Sequence, residues 1–215
     1  MASVPLKRQY GPTLGRLLTP RWHAAPRAVR GAVIAAGGGL VVLAVAAALT
    51  LLPARISYGG VAPFHFSYRG LYRTAPAPGE YVLVQRRAHG RLEDSFAVSP
   101  LRLPPYAGDL SGELPLYASG YIRALSTRYA DFVLRGEGKT RVNTVPAYDV
   151  MYTATVQGRE VYGRDVLLLA ERQGVRDGVA IEMLALTTAS PRISAPVEVA
   201  IAGVLEEPLE TFTFG

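Results

Sequence analysis

Histidine is the usual base of a nucleophilic site, and this chain of 215 residues contains only three histidines, His23, His65 and His89. A serine or cysteine nucleophile needs a base within hydrogen-bond reach. The chain has no cysteine and no G-x-S-x-G motif, and its histidines are far apart in sequence. The same scarcity of histidine and cysteine argues against a zinc site. The sequence therefore predicts no nucleophilic catalytic centre, no metal site and no cofactor.

Paired carboxylates are the other chemistry to consider, because two acids can hydrolyse a glycosidic bond. Glu182 interrupts an apolar run between Ile181 and Met183. A buried Glu182 would need a cationic partner, such as Arg164. The interpretation we favour places Glu182 on the solvent side of a half-exposed strand. A hydrolase acting on the cell wall remains the alternative, and it requires Glu182 or Asp149 to be buried and paired in a cleft.

Several tyrosines and two polar residues lie along the predicted strands of the C-terminal half. Tyrosine offers a flat face and a hydroxyl, which suits a groove for a sugar or a peptide. The competing interpretation is that these tyrosines belong to the core and reach the rim only with their hydroxyls. The predicted ligand-binding groove comprises Arg141, Asn143, Tyr148, Tyr152 and Tyr162.

These residues must be positioned by an α+β domain. Alternating apolar and polar residues predict strands, and the pairs His89-Gly90 and Gln157-Gly158 predict tight hairpin turns. Gly136-Glu137-Gly138-Lys139 lacks the spacing of a phosphate-binding loop and also predicts a hairpin turn. A stripe from Tyr117 to Phe132, at spacings of three to four, predicts a helix. Ser194 to Gly203 predicts a second, short helix.

The predicted fold class is therefore α+β, an antiparallel β-sheet of about six strands packed with two helices. The strand order from residue 148 to 215, with turns at Gln157-Gly158 and Arg176-Asp177-Gly178 and a closing helix followed by a strand, resembles the PsbP-like α-β-α sandwich. The resemblance implies an architecture. It does not assign a catalytic residue to this chain, because proteins with this fold have unrelated functions.

The stretch from Gly31 to Leu52 contains no charged residue. As a helix its 22 residues would extend roughly 33 Å, enough for the hydrocarbon core of a bilayer. The A-x-A pattern at Ala44-Val45-Ala46 would also suit a cleaved signal peptide, but the apolar run is longer than usual for one. We predict an uncleaved, single-pass transmembrane helix at 31–52.

The charge distribution orients this span. Residues 1–30 contain six basic residues and no acid, whereas the remaining 17 basic and 17 acidic residues balance. The positive-inside rule places the N-terminus in the cytoplasm. The predicted organisation is a basic, Pro-rich cytoplasmic tail at 1–30, the span, a linker at 53–63 and an extracytoplasmic domain at 64–215. A neutral domain also argues against nucleic-acid binding.

The leading hypothesis is a non-enzymatic, membrane-anchored binding or assembly module of the cell envelope. Its expected partners, besides the cytoplasmic membrane, are another envelope protein or a cell-wall polymer. The Pro-rich stretch from Ser99 to Pro115 is predicted to be a long loop, and such loops are often functional. A lipid or small-ligand carrier is a further alternative, and it would require an apolar cavity around Tyr121.

Overall fold

A computed structural model describes residues 26–103, 110–169, 177–189 and 192–215. The chain divides into two compact units, residues 1–52 and residues 53–215. In the first unit, helix α1 (Arg27–Leu51) is 25 residues long. Among the described residues it is the one helix that is long and apolar enough to cross a membrane. The structure thus contains a candidate span where one was predicted, and the tail at 1–25 lies outside the described residues.

The second unit is a mixed α+β domain, and its described residues form ten strands, where about six were predicted. Its helices are α2 (Leu110–Arg128) and the short α3 (Glu206–Glu210), with 3-10 turns at Pro196–Glu198 and Gly203–Leu205. The strands in chain order are β1 (Ala54–Tyr58), β2 (Phe64–Tyr68), β3 (Tyr72–Thr74), β4 (Val82–Ala88), β5 (Arg91–Arg102), β6 (Ala130–Val142), β7 (Val145–Val156), β8 (Arg159–Leu169), β9 (Asp177–Leu186) and β10 (Thr213–Phe214).

Seven strands form one antiparallel sheet in the order β3-β4-β5-β9-β8-β7-β6, and three form a smaller sheet in the order β1-β2-β10. The predicted linker at 53–63 differs from the structure, because β1 occupies residues 54–58 and pairs along its whole length with β2. Ile56 of β1 is buried in the core. Strand β3 is only three residues long, too short for alternation to reveal it. The predicted closing strand is present as the two-residue β10.

The large sheet separates two hydrophobic cores. On one face, alternate residues of the central strands pack against Phe64 and Phe66 of the small sheet and against Phe212, which directly precedes β10. On the other face, they pack against α2 through Leu114, Ala118 and others. The runs 166–169 of β8 and 179–181 of β9 are apolar on both faces because both faces are covered.

The predicted turns at His89-Gly90 and Gln157-Gly158 are confirmed. Each joins two antiparallel strands, and each has two consecutive residues with positive φ, as a type I′ hairpin turn requires. The turn predicted at Gly136-Glu137-Gly138-Lys139 is wrong. These residues lie inside β6 and pair in register with β7, and the chain reverses at Asn143, whose φ is 53°.

Two further expectations need correction. The predicted loop at 99–115 is largely regular, because β5 continues to Arg102 and α2 begins at Leu110 and contains Pro115; residues 104–109 lie outside the described ranges. In place of the helix predicted from Ser194 to Gly203 there is one 3-10 turn at Pro196–Glu198, and a second 3-10 turn begins at Gly203, where the predicted helix was to end.

Candidate functional site

The candidate site is a cleft of about 470 Å³ on the face of the large sheet opposite α2. Its floor is formed by Met151 and Thr153 of β7 together with Tyr162 of β8. One wall is the segment from Ser194 to Val197. The volume is within the range typical of small-ligand sites.

Strand geometry places these floor residues on one face. The Gln157-Gly158 turn sets the register of β7 and β8, so that Thr153 lies opposite Tyr162 and Met151 lies opposite Arg164. Side chains of directly opposite residues lie on the same face of a sheet. The cleft floor is therefore a direct consequence of one tight turn.

Arg164 fixes the wall of the cleft to its floor. Its Nε donates to both Asp149 carboxylate oxygens at 3.0 Å, and its Nη2 donates to Asp149 Oδ2 at 2.7 Å. Its Nη1 donates to the Val199 carbonyl at 2.9 Å. Both side chains are nearly buried, with exposed fractions of 12% and 9%. One guanidinium therefore joins β7 and β8 to the segment that follows the 3-10 turn.

The wall segment is also held by local hydrogen bonds. The Ser194 backbone N–H and hydroxyl both donate to Glu198 Oε2, at 2.6 Å and 2.9 Å. These bonds favour the charged carboxylate and lower the pKa of Glu198. Pro196 occupies the first position of the turn, where its fixed φ suits a helical start.

The lining of the cleft is mainly apolar, with one charge of each sign. Met151, Pro196 and Val197 supply apolar surface, and Val197 is 50% exposed. Arg135, from β6, and Glu160, from β8, are both exposed and line the cleft. Arg135 Nε donates to Thr153 Oγ1 at 3.3 Å, which fixes the guanidinium beside the cleft.

Of the five residues predicted to line a groove, only Tyr162 lines this cleft. Tyr148 and Tyr152 are buried on the opposite face, under α2. Arg141 donates to the Thr144 carbonyl, and Asn143 donates to the Phe212 carbonyl at 2.6 Å. The structure therefore does not bring the five together in one groove.

The residues that sequence reasoning missed are Arg135, Met151, Thr153 and the Ser194 to Val197 wall. The floor residues could have been found, because the predicted Gln157-Gly158 turn already implies the register of β7 and β8. The wall could not have been found in this way, since its position depends on the long-range bond from Arg164 to Val199.

Comparison with known proteins bears on the fold. No protein-family model matches the chain, and no curated protein matches it in sequence. The solution structure of cyanobacterial PsbP (CyanoP) from Synechocystis is similar, with a TM-score of 0.50 and 11% identity over 76% of this chain and 92% of that one. The domain has a PsbP-like fold.

Two other structures are similar to the PsbP-like domain at lower scores. LpqN of Mycobacterium tuberculosis, described as involved in cell envelope biogenesis, has a TM-score of 0.48 at 11% identity, over 75% of this chain and 91% of LpqN. The Saccharomyces cerevisiae Ran-binding protein Mog1p has a TM-score of 0.47 at 12% identity, over 75% of this chain and 95% of Mog1p. At these identities the likeness concerns the fold only.

The predicted acids of the PsbP-like domain do not converge. Asp149 faces the cleft side of the sheet and is bound by Arg164, whereas Glu182 lies on the α2 side. The favoured solvent-facing position of Glu182 is wrong, since only 13% of its side chain is exposed. Its cationic partner is Arg128 of α2 instead of Arg164, and Ser99 Oγ donates to it at 3.0 Å.

Glu182 lies instead beside a second acid. Asp165 of β8 is directly opposite Glu182 of β9 and is fully buried. The hydroxyls of Tyr121 and Tyr152 lie 2.9 Å and 3.2 Å from its two carboxylate oxygens. Among the described residues, no group of three His, Asp or Glu side chains could hold a metal ion. The space around Tyr121 thus contains a buried polar cluster.

Burial raises the pKa of Asp165 well above its ordinary value, and the neighbouring Glu182 carboxylate raises it further. Burial also raises the pKa of Tyr129 to about 12 and those of Tyr121 and Tyr152 well above the usual value. The tyrosines therefore remain protonated, and each hydroxyl can donate to the carboxylate or accept from the carboxylic acid.

The raised pKa of Asp165 predicts a specific dependence of stability on pH. Because the folded state holds this proton more tightly than the unfolded state, the stabilisation is complete below the unfolded pKa of about 3.9. It is lost as pH rises toward the folded pKa, by up to about 1.4 kcal/mol per pH unit. We expect the Asp165→Asn variant to lack this loss as pH rises above about 4.

The measurement is the free energy of unfolding of the full chain in detergent, for the native protein and the variant, at half-unit pH steps. Burial also raises the pKa of Asp94. Its contribution to the pH dependence of stability is the same in both proteins and cancels when the two curves are subtracted. Parallel stability curves for the two proteins would contradict the raised pKa of Asp165.

Proposed function

We propose that this chain is a non-enzymatic, membrane-anchored binding module of the cell envelope. In this proposal α1 spans the cytoplasmic membrane, the basic N-terminal tail is cytoplasmic, and the PsbP-like domain lies outside. The domain uses the cleft on the β7–β8 floor to hold a segment of an envelope partner protein. The single observation that carries the binding role is this preformed cleft.

The anchoring part of the proposal is supported by the length and composition of α1. Only Leu52 and Pro53 separate it from β1, and two residues reach about 7 Å at most. A membrane that holds α1 therefore keeps the start of the domain close to its surface. This short connection suits a module that acts on partners in or near the same membrane.

The nature of the partner follows from the lining of the cleft. A glycan would call for several convergent polar groups, whereas Met151, Pro196 and Val197 offer apolar surface. An apolar side chain of a peptide would fill this surface. The exposed Arg135 and Glu160 would then bind the charged or polar groups that flank it. We therefore place an envelope protein ahead of a cell-wall polymer.

The absence of an enzymatic role is part of the proposal. Asp149 and Glu182, the acids on which the predicted hydrolase depends, face opposite sides of the sheet and are each bound to an arginine. Asp165, which lies opposite Glu182, is fully buried beneath Tyr121 of α2 and does not open on the cleft. A retaining or inverting glycosidase needs two carboxyl groups on either side of one scissile bond. The arrangement of these acids supports binding over hydrolysis.

Site-specific photocrosslinking in native membranes tests the proposal. The probe is a photoreactive amino acid in place of Val197, in the lining of the cleft. The matched control carries it in place of Tyr72, which is 74% exposed on β3 at the far edge of the sheet. We expect a recurrent partner from position 197, none from position 72, and loss of the partner when Ala195→Phe fills the cleft.

Three results would overturn the proposal: equal capture from both positions, capture of lipid or glycan only, or capture that survives Ala195→Phe. Capture of a second copy of this chain from position 197 would likewise exclude a foreign partner at the cleft.

A further inference from the structure

Strand β6 is a long edge strand. It has 13 residues, lies at one end of the seven-stranded sheet and pairs on one side with β7. The opposite edge is β3, which has only three residues. An edge strand carries a row of backbone groups that another strand can pair with. Long edges are usually blocked by proline, bulges, charged side chains or short length. Strand β6 contains no proline, and its charged residues include both signs.

The two irregularities of β6 lie in its first half. Register shifts occur between Ala130 and Val133 and between Leu134 and Gly136. From Gly136 to Val142, the pairing with β7 is uninterrupted. The flat, regular part of the edge is therefore the segment that the sequence had suggested to be a turn.

The side chains of this segment are self-complementary. Glu137 and Lys139 lie opposite Val150 and Tyr148 of β7 and so share the α2 face, and both are exposed. Burial and the neighbouring Glu137 raise the pKa of the Tyr148 hydroxyl. Gly136 and Gly138 add no side chain to the other face. An acid and a base two residues apart on an antiparallel edge match a second copy of the same edge.

We propose that two copies of this chain associate through β6, pairing antiparallel about a two-fold axis at Gly138. In this arrangement Glu137 of each copy lies opposite Lys139 of the other, and Gly136 lies opposite Thr140. The two large sheets become one continuous sheet. The interface is isologous, as in most homodimers. This self-association goes beyond partner binding at the cleft and uses different residues.

Charge selects this register over its neighbours. Pairing centred on Lys139 would also place Glu137 opposite a cation, Arg141, but it would bring the two Lys139 side chains together. Like charges directly opposite each other are destabilising. Pairing centred on Gly136 would place Glu137 opposite Arg135, which lies at the register shift and binds Thr153. The centre at Gly138 gives two Glu137–Lys139 ion pairs on one face. It also sets Arg135 opposite Arg141, but Arg135 lies at the register shift and its side chain binds Thr153 on the cleft face, whereas Arg141 shares the α2 face with Glu137 and Lys139.

A strand interface of this size is small for a stable complex in dilute solution. Confinement of both copies to one membrane raises their effective concentration, so the association is expected to occur in the membrane. The experiment should therefore use the full chain in membranes.

The absence of cysteine from the chain allows an unambiguous crosslinking test. The Gly138→Cys variant adds a side chain where no heavy atom lies within 4 Å. Directly opposite Cα atoms in an antiparallel pair are about 4.5–5.5 Å apart, which suits a disulfide. We expect mild oxidation to convert most of this variant to a disulfide-linked dimer on a non-reducing gel.

Thr140→Cys is the matched control. In the proposed register each Thr140 lies four residues along the strand from its copy, about 13 Å away, so we expect at least a tenfold lower dimer yield. Equal yields from the two variants would indicate random collision, and no dimer from Gly138→Cys would exclude the pairing. Either result overturns the proposal.

Charge variants in the Gly138→Cys background test the ion pairs. Glu137→Lys and Lys139→Glu each place like charges opposite one another twice, so each is expected to reduce crosslinking several-fold. The double variant Glu137→Lys/Lys139→Glu restores both pairs and should restore the yield. Failure of the double variant to recover, while its photocrosslinking from position 197 is normal, would overturn the homodimer without affecting the proposed function.

Discussion

Gly163→Ala is expected to destabilise the domain by about 3 kcal/mol, the upper end for overpacking a well-packed core. A Cβ at this position would lie 2.2 Å from two ring carbons of Tyr152 and 2.8 Å from a third. Gly163 and Tyr152 are directly opposite each other on β8 and β7. The ring therefore lies across the space that a side chain at position 163 would occupy.

The ring has little freedom to move away. Tyr152 is fully buried, and its ring centroid is 5.8 Å from that of Tyr129 and 5.1 Å from that of Phe132. Its hydroxyl is bound to Asp165. Displacement would disturb the aromatic stack and remove a hydrogen-bond partner from a buried carboxyl group.

Chemical denaturation of the full chain in detergent measures this effect. The matched control is Gly138→Ala, another glycine-to-alanine change within a strand, at a position where a Cβ meets nothing within 4 Å. We expect the control to change the free energy of unfolding by under 1 kcal/mol. Similar losses for the two variants would mean that the cost comes from the backbone and not from the Tyr152 ring.

Local signals in the sequence account for much of the observed sheet. The hairpins at His89-Gly90 and Gln157-Gly158 depend on two residues with positive φ, a requirement that histidine or glutamine followed by glycine can meet. The same reasoning failed at Gly136 and Gly138. Glycine permits turns without requiring them, and here pairing with β7 keeps both glycines in an extended strand.

Long-range contacts explain what the sequence did not reveal. Glu182 is paired by Arg128, 54 residues earlier in the chain, and the cleft wall is fixed by a bond between Arg164 and Val199. No spacing within one element encodes such contacts. The separation of Tyr148 and Tyr152 from Tyr162 is different, because the Gln157-Gly158 turn places Tyr162 opposite Thr153. Register reasoning from that turn would have divided the predicted groove between two faces.

Arg164→Met is expected to cost about 3–5 kcal/mol, the usual cost of removing one partner from a buried ion pair. The substitution leaves the Asp149 carboxylate, with 9% of its side chain exposed, without its guanidinium. It also removes the donor to the Val199 carbonyl. Since that bond fixes the segment beside the cleft, capture from position 197 should fall together with stability.

Two comparisons separate the causes of the losses in Arg164→Met: an exposed ion pair and a replacement of both buried charges by apolar residues. Arg69 and Glu207 are 3.7 Å apart, with 53% and 30% of their side chains exposed, so Arg69→Met should cost under about 1 kcal/mol. Asp149→Leu/Arg164→Met removes both charges of this pair, so no unpaired charge is left at the site and much of the lost stability should return. Recovery of stability without recovery of capture would show that the bond from Arg164 to Val199 shapes the cleft. If the double variant is no more stable than Arg164→Met, the unpaired carboxylate is not the source of the loss.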